Sequence, residues 1–158
     1  MGEELRKQKP GHFAKILEGD YRMSDSINAA KHYFDTLNRD DWEEHIDQFY
    51  ADQDWWDQYW PVFRDLRKAF PDYKFTILHI AADGPDVCLI GRIDGTHSAE
   101  FPYGELKGVS PTGKKISWDE AWWIKFENGK PMGGYSVLDG VTRMHQLGLI
   151  TLPDYVGY

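Results

Sequence analysis

The chain has 158 residues, 41% of them hydrophobic and 15% aromatic, and a formal net charge of −8. This length suits one domain with its own core. The acid excess, with no Lys/Arg stripe among the aromatics, argues against nucleic acid or an anionic membrane as partner. The single cysteine, Cys88, excludes an internal disulfide and a cysteine-based metal cluster; in its apolar run it reads as a small hydrophobe. Seven Trp and nine Tyr suggest either an aromatic core or a pocket for an apolar, ring-bearing ligand. The start Met1-Gly2-Glu3-Glu4-Leu5-Arg6 lacks an apolar secretory stretch, and no segment has the length of a membrane span, so the expected location is cytoplasmic.

Residues 1–23 are charged, weakly patterned and broken at Pro10-Gly11, and read as an N-terminal extension with a short helix near Phe13 to Leu17. Ser24-Asp25-Ser26 offers helix caps. Ile27, Ala30, Phe34 and Leu37 follow at helical spacing, giving a helix that ends near Asn38. Asp40-Asp41 caps a second helix carrying Trp42, Ile46 and Phe49. A third contains Trp56, Tyr59, Trp60, Phe63, Leu66 and Phe70 and stops at Pro71-Asp72. Pro61 within it marks either a first-turn position or a kink.

After Pro71 the apolar period changes to two. Phe75 to Ile80 reads as a strand closed by Asp83-Gly84-Pro85, Val87 to Ser98 as a second strand, and 101–113, rich in Gly and Pro, as a loop. Lys114 to Phe126 and Met132 to Leu138 form the third and fourth strands. Three helices followed by four antiparallel strands is an α+β pattern in which the helices cover the apolar face of the sheet. The domain is expected to span 24–150, with 151–158 as a C-terminal tail.

Glu127-Asn128-Gly129-Lys130 between two strand-like runs is a strong hairpin signal, because a type I′ turn needs φ > 0 at both central residues. A two-residue loop pairs Glu127 with Lys130, Trp122 with Tyr135, Glu120 with Val137 and Trp118 with Asp139. One face then carries Trp118, Glu120, Trp122, Ile124, Tyr135, Val137 and Asp139. Glu120 and Asp139 would lie diagonally, roughly 7–8 Å apart, among three aromatics. Desolvation there raises a carboxyl pKa toward the range of a general acid/base. A one-residue slip would move one strand's set to the opposite face.

His97, after Asp94-Gly95-Thr96, is a second candidate, as a proton relay or a ligand hydrogen-bond partner. The six His residues show no ligand-like spacing with acids, so no metal is expected. Gly134-Tyr135-Ser136-Val137 begins like a nucleophile elbow, but Leu138 stands where its last glycine belongs. With no P-loop and no G-x-G-x-x-G, cofactor-free chemistry or plain ligand binding is the expectation.

Several pieces in order resemble the SnoaL-like polyketide cyclase family: Phe70-Pro71-Asp72, Gly95-Thr96-His97, Pro111-Thr112-Gly113-Lys114-Lys115, Asn128-Gly129-Lys130, and Asp139 followed by Gln146-Leu147-Gly148. The resemblance covers about residues 24–150. It implies the cone-shaped α+β fold shared with nuclear transport factor two and ketosteroid isomerase, in which helices close one side of a curved sheet around an apolar pocket. It also implies intramolecular aldol ring closure of aromatic polyketide esters without metal or cofactor. The single acid of that reaction maps onto Asp139, and assembly into dimers or tetramers is implied through the outer face of the sheet. Relatives tend to carry Glu, His and Trp where this chain has Gly133, Gly134 and Tyr135, so the pocket floor differs.

Together these features point to an acid/base enzyme of cyclase or isomerase type acting on a small apolar or aromatic carbonyl compound. Asp139 transfers the proton, His97 orients or polarises, and Glu120 tunes Asp139. Trp118, Trp122 and Tyr135 wall the pocket, with Tyr59 and Trp56 contributed by the helices. The alternatives are a non-catalytic binding or assembly module, and a hydrolase or dehydratase using the same pocket.

Overall fold

The change of apolar period after Pro71 divides the chain into a helical layer and a sheet. The computed structural model describes residues 23–49, 53–101 and 104–153. The expected extension up to Arg22, with its short helix, and residues 154–158 of the tail lie outside them.

Helix α1, Met23–Leu37, buries Ala30, Tyr33, Phe34 and Leu37, the stripe that helical spacing requires. It begins before the expected caps, so Ser26 lies in its first turn. The buried Ser26 hydroxyl instead donates to the Gly84 carbonyl at 2.6 Å, tying α1 to the first hairpin. Helix α2, Trp42–His45, tightens into a 3-10 turn over Ile46–Phe49 and buries Trp42, Ile46 and Phe49. Asp41 precedes it but makes no side-chain cap; its carboxylate is engaged by Arg39 at 2.7 and 2.8 Å. Helix α3, Gln53–Ala69, holds Pro61 in its interior rather than its first turn, on the exposed side, and buries Trp56, Trp60, Phe63 and Leu66.

Strands β1 (Lys74–Asp83), β2 (Asp86–Thr96), β3 (Lys115–Glu127) and β4 (Lys130–Leu138) form one curved antiparallel sheet in the order β1-β2-β3-β4. Burial alternates along β2 and β3 as period two demands. Val87, Leu89, Ile93, Ile116, Trp118, Glu120, Ile124 and Phe126 face the helices. Cys88, between Val87 and Leu89, therefore points outward and is exposed. The small hydrophobe read from its apolar run thus sits on the outer face of the sheet, not in the core.

A fourth helix, α4 (Gly140–Leu147), was not expected from the apolar pattern. Its punctuation is nonetheless standard. The Asp139 carboxylate accepts the Thr142 N–H at 3.0 Å, and Gly148 closes the helix at φ 84° with its N–H on the His145 carbonyl.

The hairpin turn forms as expected, with Asn128 at φ 51° and Gly129 at φ 78°, and Glu127 pairs with Lys130 and Phe126 with Pro131. Then the register shifts. A bulge between Phe126 and Lys125 leaves Met132 unpaired and sets Lys125 opposite Gly133, Trp123 opposite Tyr135, Ala121 opposite Val137 and Glu120 opposite Leu138. Gly133, at φ 143°, adopts a backbone conformation that L side chains rarely reach. A Cβ on Gly134 would lie 2.3 Å from the Trp123 carbonyl oxygen. The expected pairings of Trp122 with Tyr135, Glu120 with Val137 and Trp118 with Asp139 are thus corrected by one residue. Tyr135 and Val137 sit on the outer face, 65% and 67% exposed. Asp139 lies beyond the strand end, its N–H on the Asp119 carbonyl at 2.9 Å.

Candidate active site

The inner face of the sheet carries one acidic side chain in the core, Glu120, which is 7% exposed. Its strand neighbours are Gly91 on β2 and Leu138 on β4. It borders a cavity of about 250 Å³ between sheet and helices. Helix α3 supplies Tyr59, Val62, Phe63 and Leu66; Tyr73 and Ile93 continue the wall; Trp122, Gly134, Ser136 and Leu138 form the side toward β4. Because of the bulge, Ser136 and Leu138 take the inner positions expected for Tyr135 and Val137.

The Trp118 indole N–H donates to Glu120 Oε1 at 3.0 Å. Burial pushes the Glu120 carboxyl pKa above its ordinary value of 4.5. Three groups oppose that rise, in order of weight: the Trp118 N–H, the positive charge of Arg143, and the Trp122 N–H, which acts from outside hydrogen-bond geometry. The result is a proton-accepting group in a mostly apolar enclosure, with its basicity raised by burial.

Across the cavity lies a group of phenols. Tyr59 and Tyr73 line it, and the fully buried Tyr33 stands behind them. Burial first, then the hydrogen-bonded Tyr59 and the nearby Tyr73, push the Tyr33 pKa well above its ordinary value. The Tyr33 phenol is thereby kept as a neutral hydrogen-bonding group.

The other sequence candidates are dispersed. Trp122 and Tyr59 line the cavity. Trp118 reaches it through Glu120, while Trp56 is buried and stacks on Trp60 at 4.4 Å. Tyr135 leans on Trp123 on the outer face, with ring centroids 5.5 Å apart, and meets the cavity only at the β4 edge. His97 is fully buried: its Nδ1 accepts the Thr112 N–H at 3.3 Å, and its ring packs on Phe70 at 5.5 Å. Burial lowers its pKa. His97 does not line the Glu120 cavity. Among the described residues no three His, Cys, Asp or Glu side chains gather as a metal ion would require.

Asp139 is exposed and borders a separate polar groove with Arg92, Asp119, Thr142 and Gln146. Arg92 clasps Asp119 there through two hydrogen bonds of 2.8 and 3.0 Å, and the Gln146 side chain bonds both backbone groups of Ser117. Asp139 serves as the cap of α4, so Asp139→Asn, which keeps a capping oxygen, should leave Tm nearly unchanged. Asp139→Ala should cost about 1 kcal/mol, a fall of roughly 2–4 °C in Tm by thermal melt. Equal losses in both variants would sink the capping role.

Sequence reasoning missed Val62, Phe63, Leu66, Tyr73, Ile93, Ser136 and Leu138 as cavity residues. The helical stripe contained Phe63 and Leu66, but only the fold shows that they leave space. Ser136 and Leu138 were hidden by the bulge, for which Gly133-Gly134 was the available signal.

Similar folds occur among solved structures. AclR from Streptomyces galilaeus, a proposed hydroxylase, is 23% identical with a TM-score of 0.69, the match covering 82% of this chain and 100% of that one. TsrD from Streptomyces laurentii is 14% identical with a TM-score of 0.67, covering 82% and 98%. A SnoaL-like polyketide cyclase from Agrobacterium tumefaciens is 20% identical with a TM-score of 0.63, covering 78% and 98%. At these identities the likeness concerns the fold. No curated protein matches the chain in sequence. The family model described as SnoaL-like polyketide cyclase matches residues 22–147, which takes in α1 through α4 and the whole sheet; the chain belongs to the SnoaL-like polyketide cyclase family.

Proposed function

We propose that the protein is a cofactor-independent acid/base enzyme of cyclase or isomerase type, acting on a small apolar carbonyl compound, with Glu120 as the proton-transferring group. The observation that carries this reading is Glu120, the one buried carboxylate among the described residues, in a cavity walled mostly by aromatic and aliphatic side chains. The ionised Glu120 removes a proton from the carbon next to a carbonyl, breaking a C–H bond and leaving an enolate. The enolate carbon attacks a second carbonyl of the same molecule, and Glu120 returns the proton to the new alkoxide, so atoms and charge balance. Tyr59 and Tyr73 line the same cavity, and a phenol hydroxyl there is the kind of donor that holds an enolate oxygen. The cavity, at about 250 Å³, falls just under the usual ligand-pocket range of roughly 300–1,000 Å³, which favours a compound of one or two rings.

Deuterium wash-in tests this directly. A small cyclic or aryl ketone incubated in D₂O should exchange its α-hydrogens faster with the wild-type protein than with Glu120→Gln, read by NMR. Equal exchange in the two proteins would remove Glu120 from the chemistry. A binding-only role has one point in its favour: Trp118 already occupies one oxygen of Glu120. It predicts ligand affinity with no exchange at all. Product masses distinguish the hydrolase or dehydratase alternative, since isomerisation and aldol closure conserve mass.

The outer sheet face suits assembly into homo-oligomers. Ile90, Trp123, Tyr135 and Val137 border a shallow apolar depression there together with Cys88. Patches of this kind on an otherwise polar surface mark interfaces. Cys88 reports on it: a thiol reagent should label it slowly at high protein concentration and quickly on dilution. Fast labelling at every concentration would argue that this face stays uncovered.

A further inference from the structure

Arg143 is the least expected buried residue among those described. It lies on α4 and is 1% exposed, although a guanidinium is always charged and among the costliest groups to remove from water. Its guanidinium carbon stands 4.8 Å from the Phe101 ring centroid and 5.6 Å from that of Trp118, both within cation–π range. Trp118 also packs against Phe70 at 5.4 Å, so its indole is held on more than one side. The same indole places its N–H 3.0 Å from Glu120 Oε1. The contacts therefore run unbroken from α4 through Trp118 to the carboxylate in the cavity.

We propose that Arg143 is the positioning residue of the Glu120 site: it clamps Trp118 so that the indole N–H stays on the carboxylate, and its buried charge stabilises the ionised form. The inference rests on the reading of Glu120 as the proton-transferring group. Among the described residues, the charged and hydrogen-bonding groups facing Glu120 are few. Arg143 comes from α4, the Trp118 and Trp122 indoles from β3, Tyr59 from α3 across the cavity, and Tyr73 from the turn before β1. Its strand neighbours Gly91 and Leu138 bring no charge, and His97 stands beyond Trp118 on the Phe70 ring. Of these groups only Arg143 is permanently cationic. The Arg143 charge opposes the rise that burial imposes on Glu120.

The test needs no substrate. Protein labelled with ¹³C at the glutamate carboxyl carbons is titrated by NMR, with the Glu120 signal identified by its loss in Glu120→Gln. Arg143→Met keeps an apolar stem and removes the charge. It should move the Glu120 midpoint upward by about one pH unit, a tenfold change in proton affinity. Arg143→Lys should return most of that shift. A midpoint unmoved in Arg143→Met overturns the proposal, as does an equal rise in Arg143→Lys, which would make packing rather than charge the cause. Should Arg143→Met fail to fold, Trp118→Phe keeps a ring but deletes the donor; an unmoved midpoint there also overturns it. Failure of the catalytic reading shows up separately, as unchanged deuterium exchange in Glu120→Gln.

Discussion

Glu120→Gln is expected to lower α-proton exchange by roughly 10²- to 10⁴-fold, the usual contribution of a positioned acid/base group, while the protein folds normally. The amide fills the same volume and still offers an oxygen to the Trp118 N–H. Its effect on stability should run opposite to its effect on rate. Burial raises the folded-state pKa of Glu120, so between the unfolded and folded values the folded protein binds the proton that the unfolded chain has released. Stability therefore falls as pH rises through that window, and above it the native state carries a buried charge at a cost. Glutamine removes the cost, so the variant should equal or exceed the wild type in Tm at pH 7–8 and lose any advantage toward pH 4. Asp139→Asn should retain activity in the same assay. If Asp139→Asn is the inactive variant and Glu120→Gln the active one, the chemistry belongs to the polar groove beside α4.

The fold was legible because its largest signals are local. Apolar spacing marked α1, α2 and α3, and period two marked the strands. Asn128-Gly129 fixed the turn from the φ requirement of two residues. The helix α4 was missed because only Arg143 and Leu147 of its eight residues are buried, too few for an apolar stripe; its caps, Asp139 and Gly148, were the readable part. The site was half legible for a different reason. Glu120 and Trp122 follow from the alternation within β3, which needs no partner strand. Tyr135, Val137 and Asp139 depended on a register propagated across the sheet, and one unpaired residue at Met132 inverted all of it. Gly133-Gly134 appeared in the sequence as a loss of side chains from the pocket floor. In the fold the pair has a backbone role: it lets β4 bulge and pass close to Trp123, so Ser136 and Leu138 become the floor.

The second large effect is expected at Gly91, which lies opposite Glu120 on β2. A Cβ at this position would fall 2.0 Å from Phe75 Cζ and within 2.7 Å of two further ring carbons, distances at which something must move. The Phe75 ring cannot simply swing aside, because it is stacked on Phe34 at 4.2 Å with the planes 13° apart and is itself 2% exposed. Gly91→Ala should therefore destabilise the protein by about 1–3 kcal/mol through overpacking, with each kcal/mol lowering Tm by roughly 2–4 °C. Phe75→Leu alone should also destabilise, by opening a void under Phe34. Combined, the added methyl occupies part of the volume that the ring gives up, so the double variant should melt well above the sum of the single losses. Additive losses would show that Gly91 is retained for backbone reasons and that the contact with Phe75 carries no energy. A recovered double variant would establish that this glycine gives Phe75 its seat, in the row of the sheet that also holds Glu120.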